Sequence, residues 1–206
     1  MTEKEVESIL LNKLHFSQDS LYKLSIYCKE VIDYNQKFNL IAKSTIDSIW
    51  DRHILDSAQL VKFIKFDDGL SLSDLGSGAG FPGIVLAIFN RNPKFHVKLY
   101  EKSRVKNKFL NALCGKLNIK ADIYENDYKT HYISSEYVVS RAFKNLEEHI
   151  RISREIVKVN HKLIILKGRK AEEEIKNLNI KFNYSYSLEK SITNVESKIV
   201  IMNITK

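Results

Sequence analysis

Cysteine is nearly absent from the sequence: Cys28 and Cys114 are the only two, with no C-x-x-C pair or metal-ligand spacing. That excludes a disulfide framework and a thiolate metal centre, and because both lie in apolar helical patterns it predicts buried thiols in a reducing cytoplasm. Long hydrophobic runs are missing too. The longest, Ile84–Phe89, is far short of the ~20 residues that span a bilayer, so no membrane association is expected. The opening MTEKEVESIL is acidic and amphipathic, unlike a signal peptide. No H-E-x-x-H occurs and the 6 histidines show no ligand spacing, so no metal is expected. Proline and glycine are scarce, at 2 and 7 residues in 206. Yet four of those glycines and one proline crowd into Gly76–Gly83, inside the stretch SDLGSGAGFPGIVLAI.

Charge is lopsided rather than scarce. Lys and Arg total 33 against 25 acidic residues, a net charge of +8. Such a balance permits a polyanionic partner bound through its phosphates, and equally a solvated lysine-rich surface. The 44% hydrophobic content and the length suit one globular domain, or one with an appended piece.

Three helical patterns come first: Glu3–Leu14, Ser17–Tyr34, and a third from about Ser44, where Ser-Thr-Ile-Asp reads as a capping box, to Val61. These predict a helical N-terminal subdomain, 1–66, packed on the remainder, 67–206. From Leu70 short apolar runs alternate with helical ones. Strands are expected at Leu70–Leu75, His96–Tyr100, Ala121–Tyr124, Tyr137–Ser140 and Leu163–Leu166, and helices at Pro82–Phe89, Arg104–Leu117 and Asn145–Val159. This is the signature of an α/β layer with a mostly parallel sheet. Ile180–Ser187 and Lys198–Thr205 read as two more strands forming an antiparallel C-terminal hairpin.

Gly76, Gly78 and Gly80 form G-x-G-x-G between a strand and a helix. Without Cβ atoms the chain can turn tightly and a ligand can lie against its backbone. Pro82 suits the first turn of the next helix. The spacing is not the G-x-G-x-x-G of dinucleotide folds, which favours a smaller ligand than NAD. Glu101, at the next strand end, can accept from two ribose hydroxyls or be a surface carboxylate. Asn126-Asp127-Tyr128 follows a third strand, where an acid can accept from an adenine amine and where turn formation is equally natural. Together the three strand ends point to an adenosine compound, S-adenosyl-L-methionine ahead of NAD.

Other residues carry open readings. Arg141 follows the strand YVVS, where a guanidinium can grip a cofactor carboxylate or a guanine O6, or form an ion pair. Lys167 ends the strand LIIL and suits phosphate, base or solvent. Asn35 and Asn39 end the second helix, with capping as their default. Arg52, His53 and Asp56 share one helical turn, where His53 and Asp56 can simply bond each other. Of the basic runs, Lys102, Arg104, Lys106 and Lys108 alternate around a helix and read as solvated, whereas Lys167, Arg169 and Lys170 cluster at a strand end and suit phosphate.

Six segments spread from Tyr34 to Gly168 add a resemblance: YNQKFNLIA, RHILDS, DLGSGAGFPGI, Glu101-Lys102-Ser103-x-x-Lys106-x-x-Phe109-Leu110, SRAF and LKG. Taken together they resemble the bacterial 16S ribosomal RNA guanine-N7 methyltransferases, the GidB or RsmG family. The resemblance implies a seven-stranded Rossmann-like class I methyltransferase domain with an N-terminal helical extension. It also implies methyl transfer from S-adenosyl-L-methionine to N7 of a guanosine in the decoding region of 16S rRNA, by a cytoplasmic enzyme expected to be monomeric. Family cofactor contacts map onto Gly76 and Phe81, onto the pair Asp127 and Tyr128, and onto Arg141. In that pair the family often has the acid second, whereas here it stands first. Asn39, His53, Arg141 and Lys167 are the candidate catalytic set, with Arg52 and Asp56 on the RNA-side wall.

Overall fold

The computed structural model describes residues 1–125, 132–141, 145–179 and 184–206. Asp127 and Tyr128 lie outside the described residues, as do Asn126, the Ala-Phe of SRAF and the start of the expected Ile180–Ser187 strand. Helix α1 (Glu3–Asn12) starts on a complete capping box: Thr2 Oγ1 accepts from the Glu5 N–H, and the Glu5 carboxylate accepts from the Thr2 N–H. Helix α2 (Gln18–Asn35) is capped by the Ser17 hydroxyl, which accepts from the Ser20 N–H.

The third helix departs from expectation. Instead of one regular helix from Ser44, there is a 3₁₀ turn (Lys43–Thr45), a π-helical turn (Trp50–Leu55), a short α3 (Asp56–Ala58) and a 3₁₀ turn (Gln59–Phe63). No capping box forms at Ser44. The first turn begins after Ala42 without a side-chain cap, and Thr45 gives its hydroxyl proton to the Ala42 carbonyl at 2.8 Å. π turns insert extra backbone into a helix and are common at functional sites. This one falls on Arg52 and His53.

The remaining elements are β1 (Ser71–Leu75), α4 (Gly83–Phe89), β2 (His96–Glu101), α5 (Arg104–Leu117), β3 (Asp122–Glu125), β4 (Tyr137–Arg141), α6 (Leu146–Ile156), β5 (His161–Lys167), α7 (Ala171–Lys176), β6 (Tyr184–Lys190) and β7 (Lys198–Ile204). Only α7 was not expected from the sequence pattern. The seven strands lie in the order β3-β2-β1-β4-β5-β7-β6. The first five are parallel, and β7 runs antiparallel between β5 and β6, as the terminal hairpin predicted.

Alternating strand side chains feed two cores. Leu72, Val139, Ile164 and Ile201 join the cluster built with Leu10, Leu24, Ile54, Ile84 and Leu110, so the N-terminal helices share one core with the sheet. Leu75, Val138, Leu163 and Ile165 face Leu146, Ile150 and Ile156 of α6 and Ala171 of α7. Chain order runs one way from β1 to β3 and the other from β4 to β5. Ligand crevices open at such a switch point, outside the carboxyl ends of the strands. The Gly76–Gly80 loop leaves β1 there, and Arg141 ends β4 there. Among the described residues no helix is long and apolar enough to cross a membrane.

Candidate cofactor and acceptor site

The glycine loop is tied to the end of β2. The N–H groups of Gly76 and Ser77 both donate to the Tyr100 carbonyl, at 2.9 and 3.1 Å. Glu101, 8% exposed, accepts from the Gly78 N–H at 2.9 Å through one carboxylate oxygen and from the Ser103 N–H at 2.8 Å through the other. The expected sugar acceptor thus stands against the loop, held at the tip of its strand. Pro82 sits at the N-cap of α4, one place before its first helical residue.

Two glycines of the loop do different work. Gly78 has φ +59°, and a Cβ there would meet only the Gly76 carbonyl oxygen, at 3.8 Å, so the space beside it is open. Gly80 has φ +103°, and its Cβ would lie 2.5 Å from Ile84 Cγ1 and 2.8 Å from the Tyr27 hydroxyl. Packing of α2 on α4 therefore demands Gly80, while ligand room is found at Gly78.

Arg141 is the junction of a second assembly. Its Nη2 lies 2.7 Å from His53 Nδ1, its Nη1 donates to the Arg52 carbonyl at 3.1 Å, and Asp56 Oδ2 is 3.9 Å from Nη1. A guanidinium only donates, so His53 Nδ1 must be the acceptor and the ring proton sits on Nε2. Nε2 then donates to Thr45 Oγ1 at 2.8 Å. Burial, with Arg141 and Arg52 beside it, lowers the His53 pKa to about 3, which keeps the ring neutral. Phe81, 3% exposed, packs under the group: its ring centroid lies 4.9 Å from His53, 4.8 Å from Tyr27 and 5.1 Å from the Arg141 guanidinium carbon. The expected His53–Asp56 pair is replaced by two separate approaches to Arg141.

Arg52, His53, Asp56, Arg141 and Lys167 line a common cavity of about 300 Å³, together with Thr193 and Asn194 of the β6–β7 connection. Lys167 also pairs with Glu174 of α7 at 2.8 Å. Asn39 stands apart, exposed after α2 and not among the residues lining this cavity. Asn35 is buried and accepts from the Leu40 and Ile41 N–H groups at 2.7 and 3.0 Å, which folds the chain back after α2.

Several residues here were not anticipated. Asp74, fully buried, accepts from the Gly83 N–H at 2.9 Å through Oδ2, while Oδ1 has no hydrogen-bond partner. Burial raises its pKa to about 7. An acid in the strand SLSDL, two places before the glycine loop, is the available signal. Tyr27 donates to the Ala79 carbonyl at 2.7 Å from inside the stripe of α2, where nothing marked it. Gln59 and Thr193, joined below, carried no local signal either.

These residues fit the adenosine ligand that the strand ends point to. A loop open at Gly78, a carboxylate at the next strand end and a buried acid with one unpartnered oxygen suit backbone approach, sugar hydroxyls and donor groups. A model of the GidB family, described as rRNA small subunit methyltransferase G, matches residues 20–202. The chain is 37% identical over 180 residues to the ribosomal RNA small subunit methyltransferase G of Mycoplasma capricolum, covering 83% of this chain and 75% of that one. It is 31% identical over 208 residues to the protein of that name from Bartonella henselae, covering 99% and 95%. The crystal structure of a SAM-dependent methyltransferase from Aquifex aeolicus superposes with a TM-score of 0.58 at 16% identity, over 81% of this chain and 98% of that one, a likeness of fold.

Proposed function

Because the chain belongs to the GidB family of rRNA small subunit methyltransferases, we propose that it transfers a methyl group from S-adenosyl-L-methionine to N7 of a guanosine in the decoding region of 16S rRNA. The observation that carries this reading is the meeting, at the sheet's switch point, of the open Gly78 turn with Glu101 and of Arg141 with the cavity beyond it. Residues 1–66 act as a helical subdomain on the 67–206 methyltransferase domain and supply Arg52, His53 and Asp56 to the acceptor wall. The 16S rRNA or its particle is the partner, in the cytoplasm, with a monomer as the working state.

Gly76, Gly78 and Glu101 would hold the cofactor's backbone-facing and sugar parts. When bound, S-adenosyl-L-methionine supplies an electrophilic methyl group on a sulfonium. Guanine N7 carries a free lone pair at neutral pH, so the acceptor needs no general base. His53 agrees with that: both ring nitrogens are already hydrogen-bonded, and the neutral ring positions Arg141 instead of taking a proton. The chain's task is alignment, and oriented reactants can gain ~7–11 kcal/mol from proximity alone. Lys167 and the Arg169–Lys170 pair lie where substrate phosphates would pass.

The deciding experiment is methylation of small-subunit RNA from a strain lacking this gene, with the modified base mapped. A single N7-methylguanosine supports the reading; no incorporation, or a methyl elsewhere, overturns it. Calorimetry with S-adenosylhomocysteine and NAD tests the cofactor separately. Tight NAD binding with no response to the thioether would remove S-adenosyl-L-methionine from the account.

A further inference from the structure

The two oxygens of Asp56 are used differently. Oδ1 takes a proton from Gln59 Nε2 at 3.0 Å and another from Thr193 Oγ1 at 3.1 Å, which fills its two lone-pair directions. Oδ2 has Arg141 Nη1 at 3.9 Å, too far for a hydrogen bond, so it keeps accepting capacity, in a residue that lines the 300 Å³ cavity. The anchor is stiff. Gln59, 1% exposed, shares its two amide hydrogens among Asp56 Oδ1, the Asp56 carbonyl and Ser191 Oγ, and accepts from the Ile192 N–H at 2.9 Å. One buried amide thus fixes the carboxylate and the β6–β7 connection beside it, although Gln59 and Ser191 are 132 residues apart.

We infer that Asp56 is the specificity-determining residue for the acceptor base, its free oxygen accepting from the N1–H and N2–H groups of guanine while Arg141 donates to O6. This rests on the reading that the acceptor is a guanosine. A fixed acceptor beside a guanidinium donor matches guanine, whose O6 accepts and whose N1 and N2 donate. Adenine presents the opposite order, a donor at N6 and an acceptor at N1. Uracil places its O2 acceptor where guanine has the N2 amine, against the carboxylate. Holding that edge leaves N7 untouched by the Asp56–Arg141 pair.

The test uses the full-length protein and small-subunit RNA ligated with guanosine or inosine at the mapped position. Inosine keeps O6, N1–H and N7 and lacks only the N2 amine. Wild-type kcat/KM is expected to fall about 10- to 100-fold on inosine, the range for one hydrogen bond to a charged group. In Asp56→Asn the guanosine reaction falls by at least that much and the guanosine-to-inosine ratio collapses toward one, with S-adenosylhomocysteine affinity within about twofold of wild type. Circular dichroism reports folding; if Asp56→Asn does not fold, Thr193→Val, which removes one of the two bonds that hold Oδ1 and lets the carboxylate turn, decides alone and must lower the ratio. An unchanged ratio in a folded variant, or equal wild-type rates on both RNAs, removes Asp56 from base selection. A wild-type protein with no N7 activity on guanosine RNA takes down the functional reading itself.

Discussion

Arg141 reaches His53 across 88 residues of sequence, Nη2 to Nδ1 at 2.7 Å, and that contact determines which nitrogen of the imidazole carries the proton. The strand end and the π-helical turn are joined by a donor-only group, so the histidine is fixed as an acceptor toward Arg141 and a donor toward Thr45.

Thr45 is therefore a positioning residue. Thr45→Val leaves the His53 Nε2–H, in a ring 7% exposed, without its partner. Urea denaturation is expected to show a loss of about 1–3 kcal/mol, the cost of a buried unsatisfied donor. Methyl transfer should fall with it, and Thr45→Ser should restore both. A Thr45→Val protein with wild-type activity, or a Thr45→Ser protein no better than it, would contradict the relay.

The glycine loop separates into two testable halves. In Gly78→Val the new Cβ meets only the Gly76 carbonyl oxygen, at 3.8 Å, so the variant should fold, at a cost of about 1–2 kcal/mol for a left-handed backbone. Its S-adenosylhomocysteine binding should be abolished, because the branched side chain fills the open space. Gly80→Ala should behave the other way, losing about 2–4 kcal/mol through the clash with Ile84 and Tyr27 added to its positive φ. Calorimetry and thermal melting on the two variants check this; Gly78→Val with native affinity would move the ligand elsewhere.

What could be read in the sequence was what short spacing encodes. The Gly76–Gly80 loop, Glu101 and Arg141 each announce themselves within a strand end of ten or so residues, and alternating apolar runs predict a mostly parallel sheet. The third helix misleads because Ile46, Ile49, Trp50, Ile54 and Ala58 keep a helical period while the backbone opens into a π turn. Short α7 buries only Ala171 and so has no apolar stripe to detect. Gln59–Ser191 and Arg141–His53 are long-range pairings of polar side chains, chosen by tertiary packing, and no local pattern specifies them.

Acid should weaken the fold through His53. The unfolded ring titrates near 6.5 and the folded one near 3, so between those values the unfolded chain binds more protons. The His53 contribution is complete above about pH 6.5 and is lost as pH falls toward 3. Asp74 has the opposite sign: its folded pKa of about 7 lies above 3.8, so its contribution is complete below 3.8 and fades as pH rises through 7. Urea midpoints at pH 4, 5, 6 and 8 check both. The advantage of wild type over His53→Gln should shrink toward pH 4, and its advantage over Asp74→Asn should shrink toward pH 8. Parallel curves would show that neither group titrates in this window.

Tyr27 couples the N-terminal helices to the cofactor loop. Its hydroxyl, completely buried, donates to the Ala79 carbonyl at 2.7 Å, while its ring stacks on Phe81 at 4.8 Å and 27°. Tyr27→Phe keeps the ring and the stack but leaves the Ala79 carbonyl without this donor. Stability should drop by about 1–2 kcal/mol. Because Ala79 lies between Gly78 and Gly80, the loop should also hold its shape less firmly. S-adenosylhomocysteine affinity should therefore weaken severalfold while binding stoichiometry stays the same. A variant that loses stability but keeps full affinity would show that the loop is set by the Tyr100 and Glu101 bonds alone, with the helical subdomain serving only as a cover.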